Sequence, residues 1–290
     1  MEPLFEPCAP ELLVGELASA EPLTRFRGLD LHAIRGGDYP IAMAEIGRVR
    51  EESYREVGAG RGAAVDLDAY DHGEDAYQQL LALDPSRGEL VAVLRYQEGR
   101  RAVTAGEQVL RTSTLFEFSP WLREEVIPCG IELGRLAVRR SASRAKLGLF
   151  AIWQGLAQLA RRSPDVRYFF GNVSVYRDYK PAARARLVSL VESLYRPPRP
   201  TFIARPGLRY RPDVTSAPPD GVEALRYIDA QVAERGERVP PMLRTYLSLG
   251  STVCCGETVV DRDFAGALEI GIVVPLRTID RQARERFGLP

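Results

Sequence analysis

The chain has 290 residues, 45% hydrophobic and 27% charged, which is ordinary for one large or two modest globular domains. No stretch approaches the roughly 20 apolar residues of a membrane helix, and the acidic, Pro-rich start at Met1-Glu2-Pro3 lacks the basic and apolar regions of a signal peptide, so the expected location is cytoplasmic. Net charge is zero but uneven, −10 over residues 1–94 and +10 over the rest, and this basic remainder has no aromatic-basic motif that would argue for nucleic acid.

Residues 1–28, with Pro3, Pro7, Pro10 and Pro22, read as an irregular lead-in. Residues 29–35 alternate weakly and predict a strand. Pro40 suits the first turn of a helix running to about Val57, which Gly58-Ala59-Gly60-Arg61-Gly62 then breaks. Asp66-Leu67-Asp68-Ala69-Tyr70-Asp71 is an acidic loop. Residues 77–83 and 90–96 predict two strands joined by a hairpin at 84–88. Residues 112–121 form an extended connector and 129–138 another strand.

From Leu149 the set Leu149, Ile152, Trp153, Leu156, Leu159 and Ala160 has the spacing of a core-facing helix. A strand over 166–175 follows, then a second helix from Pro181 with Leu187, Leu190, Val191 and Leu194 on one face. Arg196-Pro197-Pro198-Arg199-Pro200 stops it. Residues 196–240 form a Pro- and Arg-rich excursion with a short helix near 221–235. A helix from Pro241 to about Leu249 and strands over 251–255 and 267–276 complete the chain. This order predicts a mixed α/β layer fold, with a parallel strand pair and right-handed crossover around the helix at Leu149. The expected organisation is a lead-in at 1–28, a core at 29–195, an insertion at 196–240, and C-terminal elements at 241–290 that complete the core.

Four Cys (8, 129, 254 and 255) and two well-separated His (32 and 72) lack metal-site spacing, so no metal is expected and the thiols are expected to be free. The residues that can carry chemistry begin with Glu132 and Arg135. Strand alternation puts them on opposite faces unless a bulge intervenes, and Gly134 between them is a residue type that marks one. The alternative is an edge ion pair. The following loop holds Arg139, Arg140, Arg144 and Lys146 with no acid among them, at a helix start where backbone N–H groups attract anions. A phosphopantetheine phosphate or a nucleotide pyrophosphate fits such a loop; so does plain solvation. In the acidic loop, Asp66, Asp68 and Asp71 lack the remaining ligands of a Ca²⁺ site; an amine-bearing substrate is another partner. Arg50 and Tyr54 share a helix face, and Arg95 is the odd charge in an apolar strand, where a buried ion pair is the simpler reading.

Taken in order, these motifs resemble the GNAT superfamily of acyltransferases. The likeness is to the branch of ornithine-lipid and glycine-lipid N-acyltransferases, N-acyl amino acid synthases and acyl-homoserine-lactone synthases, some of them labelled "hemolysin". The matching pieces are Arg50-x-x-x-Tyr54, Asp68-x-x-Asp71, Arg95, Glu132-Leu133-x-Arg135, Phe170-Gly171-Asn172-Val173-Ser174, Pro241-x-Leu243 with Tyr246-x-x-x-Gly250, and Asp261-x-x-Phe264. The resemblance covers about residues 40–278. It implies a GNAT-type mixed sheet, splayed between the strands near Val138 and Val166, with flanking helices and a helical or irregular insertion. It further implies transfer of a long acyl group from acyl-carrier-protein to an amino acid or related small amine, with no resident cofactor. Glu132 and Arg135 are expected to be catalytic. Arg50, Tyr54, Asp68, Asp71 and Arg95 are expected to bind substrate, and Arg139, Arg140, Arg144 and Lys146 to bind the acyl carrier.

Residues 139–147 contain no Gly, which fits a carrier-protein thioester better than acyl-coenzyme A. The acyl chain is expected in a tunnel lined by Phe116, Phe118, Trp121, Phe150 and Trp153, unless these rings are core. Peripheral membrane contact is compatible with a lipid product. Two other readings are a non-catalytic acyl- or carrier-binding module on a GNAT frame and an acyl-homoserine-lactone synthase.

Overall fold

Proline and glycine punctuate the chain into short segments, and a computed structural model describes residues 1–213 and 217–289. In chain order the elements are α1 (Pro10–Leu17), β1 (Thr24–Phe26), β2 (Leu29–Arg35), α2 (Pro40–Arg55), β3 (Gln78–Asp84), β4 (Glu89–Glu98), α3 (Arg100–Ala105), β5 (Phe116–Phe118), β6 (Gly130–Val138), α4 (Ala145–Arg162), β7 (Tyr168–Val175), α5 (Pro181–Leu194), β8 (Phe202–Ala204), α6 (Ala224–Ala233), α7 (Pro241–Leu247), β9 (Cys254–Asp261), β10 (Ala267–Pro275) and α8 (Arg281–Phe287). Two compact units result. The first comprises Met1–Glu98, Glu132–Val166 and Glu285–Pro290; the second comprises Gly99–Ile131 and Arg167–Arg284. Among the described residues no helix is long and apolar enough to cross a membrane.

The first unit orders its strands β1-β2-β3-β4-β6, the first four antiparallel. Helix α4 packs on this sheet. Its buried face is Gly148, Ala151, Ile152, Trp153, Gly155, Leu156, Ala157 and Ala160, so Leu149 and Leu159, expected inside, lie at the edge of the contact. The small residues explain this shift. A Cβ on Gly148 would come within 2.9 Å of Val138 Cγ1, so the helix start approaches the sheet closely only because Gly is there.

Residues 1–28 differ from the irregular expectation. Pro10 takes the first turn of α1, whose Leu13 and Leu17 are buried. From α1, the Glu16 carboxylate accepts from the N–H groups of Ile41 and Ala42 at 3.0 and 2.7 Å. It thereby caps α2, whose own N-cap residue Tyr39 supplies no side-chain bond.

In the second unit β7-β10-β9 is antiparallel and β5 pairs with β8. Strand β9 begins at Cys254, at the end of the expected 251–255, and runs on to Asp261 with a bulge opposite Ile270 and Ile272; Gly256 and Glu257 masked it in the sequence. The aromatic residues expected to line a tunnel are instead packed on other rings, with Phe116, Phe118 and Trp153 buried and Trp121 and Phe150 half-buried. Phe116 and Phe118 meet the Phe202 ring edge-on, Trp121 meets Tyr168, and in the first unit Phe150 and Trp153 pack on Phe287. All four Cys are free, and burial pushes the Cys254 thiol up to about 12.

One buried carboxyl in the second unit is unusual. Glu269 on β10 is 1% exposed and accepts from Asn172 Nδ2 and from Ser174 Oγ, the latter at 2.7 Å. Burial pushes it up to about 7 from an ordinary 4.5, against the pull of those two donors. The folded state therefore holds a proton that the unfolded chain has released. Stability should fall as pH rises from about 4.5 to about 7, by up to roughly 3 kcal/mol. Glu269→Gln should remove that slope, because the Ser174 hydroxyl can turn to accept from the amide. Urea midpoints at about pH 5 and about pH 7.5 check it: equal slopes in wild type and variant would refute the assignment.

Candidate active site

All seven residues expected to act on substrate lie in the first unit, and the structure gathers them around Arg95. Strand register starts the assembly. In the β3–β4 pair Gln79 stands opposite Arg95, which puts both side chains on one face, and Tyr77 precedes Gln79 by two positions on that face. Arg95 is 1% exposed. Its Nη1 donates to Asp68 Oδ1 at 2.7 Å and Asp71 Oδ2 at 3.0 Å, and its Nη2 to Asp68 Oδ2 at 3.0 Å. The guanidinium carbon stands 5.1 Å from the centre of the Tyr77 ring and 5.6 Å from that of Tyr70.

The acidic loop is shaped to present these carboxylates. Tyr70 N–H donates to Asp68 Oδ1 at 2.9 Å and Asp68 N–H donates to Asp71 Oδ2 at 3.0 Å, so the two side chains close one tight turn. Arg50, fully buried on α2, donates to Asp71 Oδ1 at 2.9 Å and Gln79 Oε1 at 2.5 Å. Burial alone would raise the Asp71 carboxyl, but Arg50 and Arg95 outweigh it and hold the group well below the usual carboxylate range. Asp68 is lowered in the same way, with Arg95 and Arg135 overcoming burial.

Strand β6 supplies the other two residues. Glu132 is 1% exposed, and its Oε2 accepts from the Tyr77 hydroxyl. Arg135 has a φ of 50°, the left-handed region that a non-glycine residue enters only at a cost. This break in the alternation answers the question that spacing left open. Arg135 Nε reaches Asp66 Oδ2 at 3.1 Å and Nη2 reaches Asp68 Oδ2 at 3.6 Å, with its guanidinium 5.8 Å from the centre of the Tyr54 ring. Tyr54 OH donates to Leu136 O at 3.1 Å, tying α2 to β6 just past the break. Glu132 and Arg135 thus join one cluster, through Tyr77 and Asp68 respectively, and Gly134 leaves room there: a Cβ on it would stand 3.8 Å from Arg95 Nε.

The basic loop is partnered by acids from the first 94 residues. Arg139 pairs with Glu52 at 3.3 Å and Glu89 at 3.5 Å, Arg140 with Glu56 at 3.4 Å, and Arg144 with Asp84 at 3.0 Å. Ser141 and Ser143 donate to Glu52 and Glu89. Three of the excess positive charges of the later part of the chain are therefore compensated here by acids of the earlier part. Lys146, in the first turn of α4, is exposed.

The acetyltransferase (GNAT) domain family matches residues 49–154, a span that holds every residue just described. Over 99% of its length the chain is 31% identical to a glycine N(alpha)-acyltransferase of Bacteroides thetaiotaomicron, covering 89% of that protein. It is 30% identical, again over 99%, to a protein of the same name from Phocaeicola vulgatus, covering 92% of it. The chain belongs to the GNAT acyltransferases. Among solved structures, a CoA-dependent acyl-homoserine lactone synthase with SAM and isopentyl-CoA is similar at 16% identity over 91% of each chain, with a TM-score of 0.42.

The sequence marks Asp66 only as part of an acidic loop that an amine-bearing substrate could meet, and it does not single out Tyr77 or Gln79 as site residues. Two polar-tipped side chains two apart at the head of an otherwise apolar strand were the available signal. Tyr77 reaches a carboxylate 55 positions away, a contact that no local pattern reports.

Proposed function

We propose that this enzyme moves a long fatty acyl group from the phosphopantetheine thioester of acyl-carrier-protein to the α-amine of an amino acid, with glycine as the first candidate. The observation that carries the reading is Glu132: a buried carboxylate held by a hydroxyl, on the strand that leads into α4, in a chain whose curated relatives are glycine N-acyltransferases.

An ammonium cannot attack a carbonyl, so the acceptor must first lose a proton, which Glu132 takes directly or through water. The neutral nitrogen then attacks the thioester carbon; the C–N bond forms, the C–S bond breaks, the nitrogen gives up its second proton, and the leaving thiolate takes up one proton to become the thiol. Backbone N–H groups over 136–138 polarise the carbonyl. Arg135 orients the base or takes the acceptor carboxylate as a fork, exchanging it against Asp66. Arg50, Tyr54, Asp68, Asp71 and Arg95 shape the acceptor side. Arg139, Arg140, Arg144 and Lys146 face the carrier, whose acids compete with the intramolecular partners of the three arginines. The donor loop lacks the glycines that bring backbone close to a pyrophosphate, which favours a carrier protein over coenzyme A.

The test is a side-by-side incubation with acetyl-coenzyme A, long-chain acyl-coenzyme A and medium- and long-chain acyl-carrier-protein, each with a panel of amino acids, read by mass spectrometry. The expected product is N-acylglycine, formed fastest from acyl-carrier-protein, with rates climbing as each added CH₂ contributes about 0.8 kcal/mol of burial. Faster turnover with either coenzyme A thioester, or indifference to chain length, overturns the donor reading; absence of glycine from the products overturns the acceptor.

A further inference from the structure

We infer that Tyr77 is the positioning residue for Glu132, setting both the direction of its carboxylate and the pH at which it is ready to accept a proton. The inference rests on the reading of Glu132 as the base. Tyr77 is buried and fixed from every side. Its N–H donates to Tyr70 O at 2.8 Å, and its C=O accepts from Gln79 Nε2 at 3.2 Å. Its ring takes the Tyr70 ring edge-on at 5.7 Å and the Arg95 guanidinium at 5.1 Å. The hydroxyl donates to Glu132 Oε2. A side chain held this firmly has paid its ordering cost in the fold, so the bond to Glu132 is preorganised.

Donation to the ionised carboxylate favours the charged form over the neutral one, so the base stays ready at lower pH. The Arg95 cation beside the Tyr77 ring strengthens the donor by favouring negative charge on the phenol oxygen. In this way the Arg95–Asp68–Asp71 cluster acts on the base through one tyrosine.

The test compares kcat/KM against pH for wild type, Tyr77→Phe and Tyr96→Phe. Tyr96 is the control: its hydroxyl donates to Gln78 at 2.8 Å on the same strand pair, away from Glu132. In Tyr77→Phe the limb that rises with pH should move up by about one unit, equivalent to about a tenfold loss at a fixed pH on that limb, with the melting temperature within a few degrees of wild type. Tyr96→Phe should leave the limb in place. Should Tyr77→Phe not fold, Tyr77→3-fluorotyrosine keeps the shape and strengthens the donor, and the limb should move to lower pH. In a Glu132→Gln background the Tyr77→Phe change should cost little more. An unmoved limb in either Tyr77 variant, or full additivity with Glu132→Gln, overturns the inference. Wild-type turnover in Glu132→Gln alone would instead remove the base reading itself, which separates the two failures.

Discussion

Glu132→Gln is expected to lower the acyl-transfer rate by roughly 10²-fold or more while the protein melts where the wild type does. Gln keeps the volume of the side chain, and the Tyr77 hydroxyl can still donate to its carbonyl oxygen, so packing and the local bond survive. Under the proposed mechanism the lost property is the ability to take a proton from the acceptor ammonium. Loss should therefore appear in kcat, and substrate affinity should change little. Supplying a neutral amine by raising the pH should recover part of the rate, since deprotonation then happens in solution. Wild-type turnover at neutral pH in this variant would sink the role.

Arg95→Met is expected to destabilise the fold by about 3–5 kcal/mol, the usual range for removing one partner of a buried ion pair. Arg95 is fully buried and bonded to both Asp68 and Asp71. Met fills the space but leaves two carboxylates close together with only Arg50 and Arg135 to answer them. In the wild type those lowered carboxyls contribute stability that is present above about pH 4 and is lost as pH falls. The variant should lose less on acidification, because part of that stability is already gone. Arg25→Met is the comparison. Arg25 pairs with Asp30 at 3.1 Å but is largely exposed, and its loss should stay within about 0.5 kcal/mol. Urea unfolding of both variants decides the matter; equal midpoints would mean that the cluster is not what holds these segments together.

Much of this architecture could be read from local pattern. Helix α5 starts at Pro181 and β3 and β4 flank their hairpin because Pro, Gly and strand-forming runs act over a few residues. Helix α4 lies where the pattern puts it but turned slightly, since Gly148, Ala151 and Gly155 count for little on a hydropathy scale and yet are buried, the two glycines where a Cβ would crowd Val138 and Leu80. Helix α1 was hidden by the prolines around it. The members of the cluster around Arg95 were legible as a series of motifs, because each residue type is chemically conspicuous. Its wiring was not. The left-handed φ of Arg135, the pairing of Arg144 with Asp84 and the bond from Tyr77 to Glu132 depend on how distant segments meet, and spacing carries no information on that.

The shared carboxylates around Arg95 have a bearing on how such an enzyme can change. Asp68 serves two arginines and Asp71 serves two, so altering any one member strands a charge on its neighbours. Single substitutions in this cluster are penalised before any benefit is felt, whereas coordinated pairs, an arginine and its aspartate replaced together by apolar residues of matched volume, are not. Libraries that vary this cluster should therefore be built from linked codons at 50 and 71 or at 95 and 68, and a lineage that has drifted here should carry its replacements in such couples.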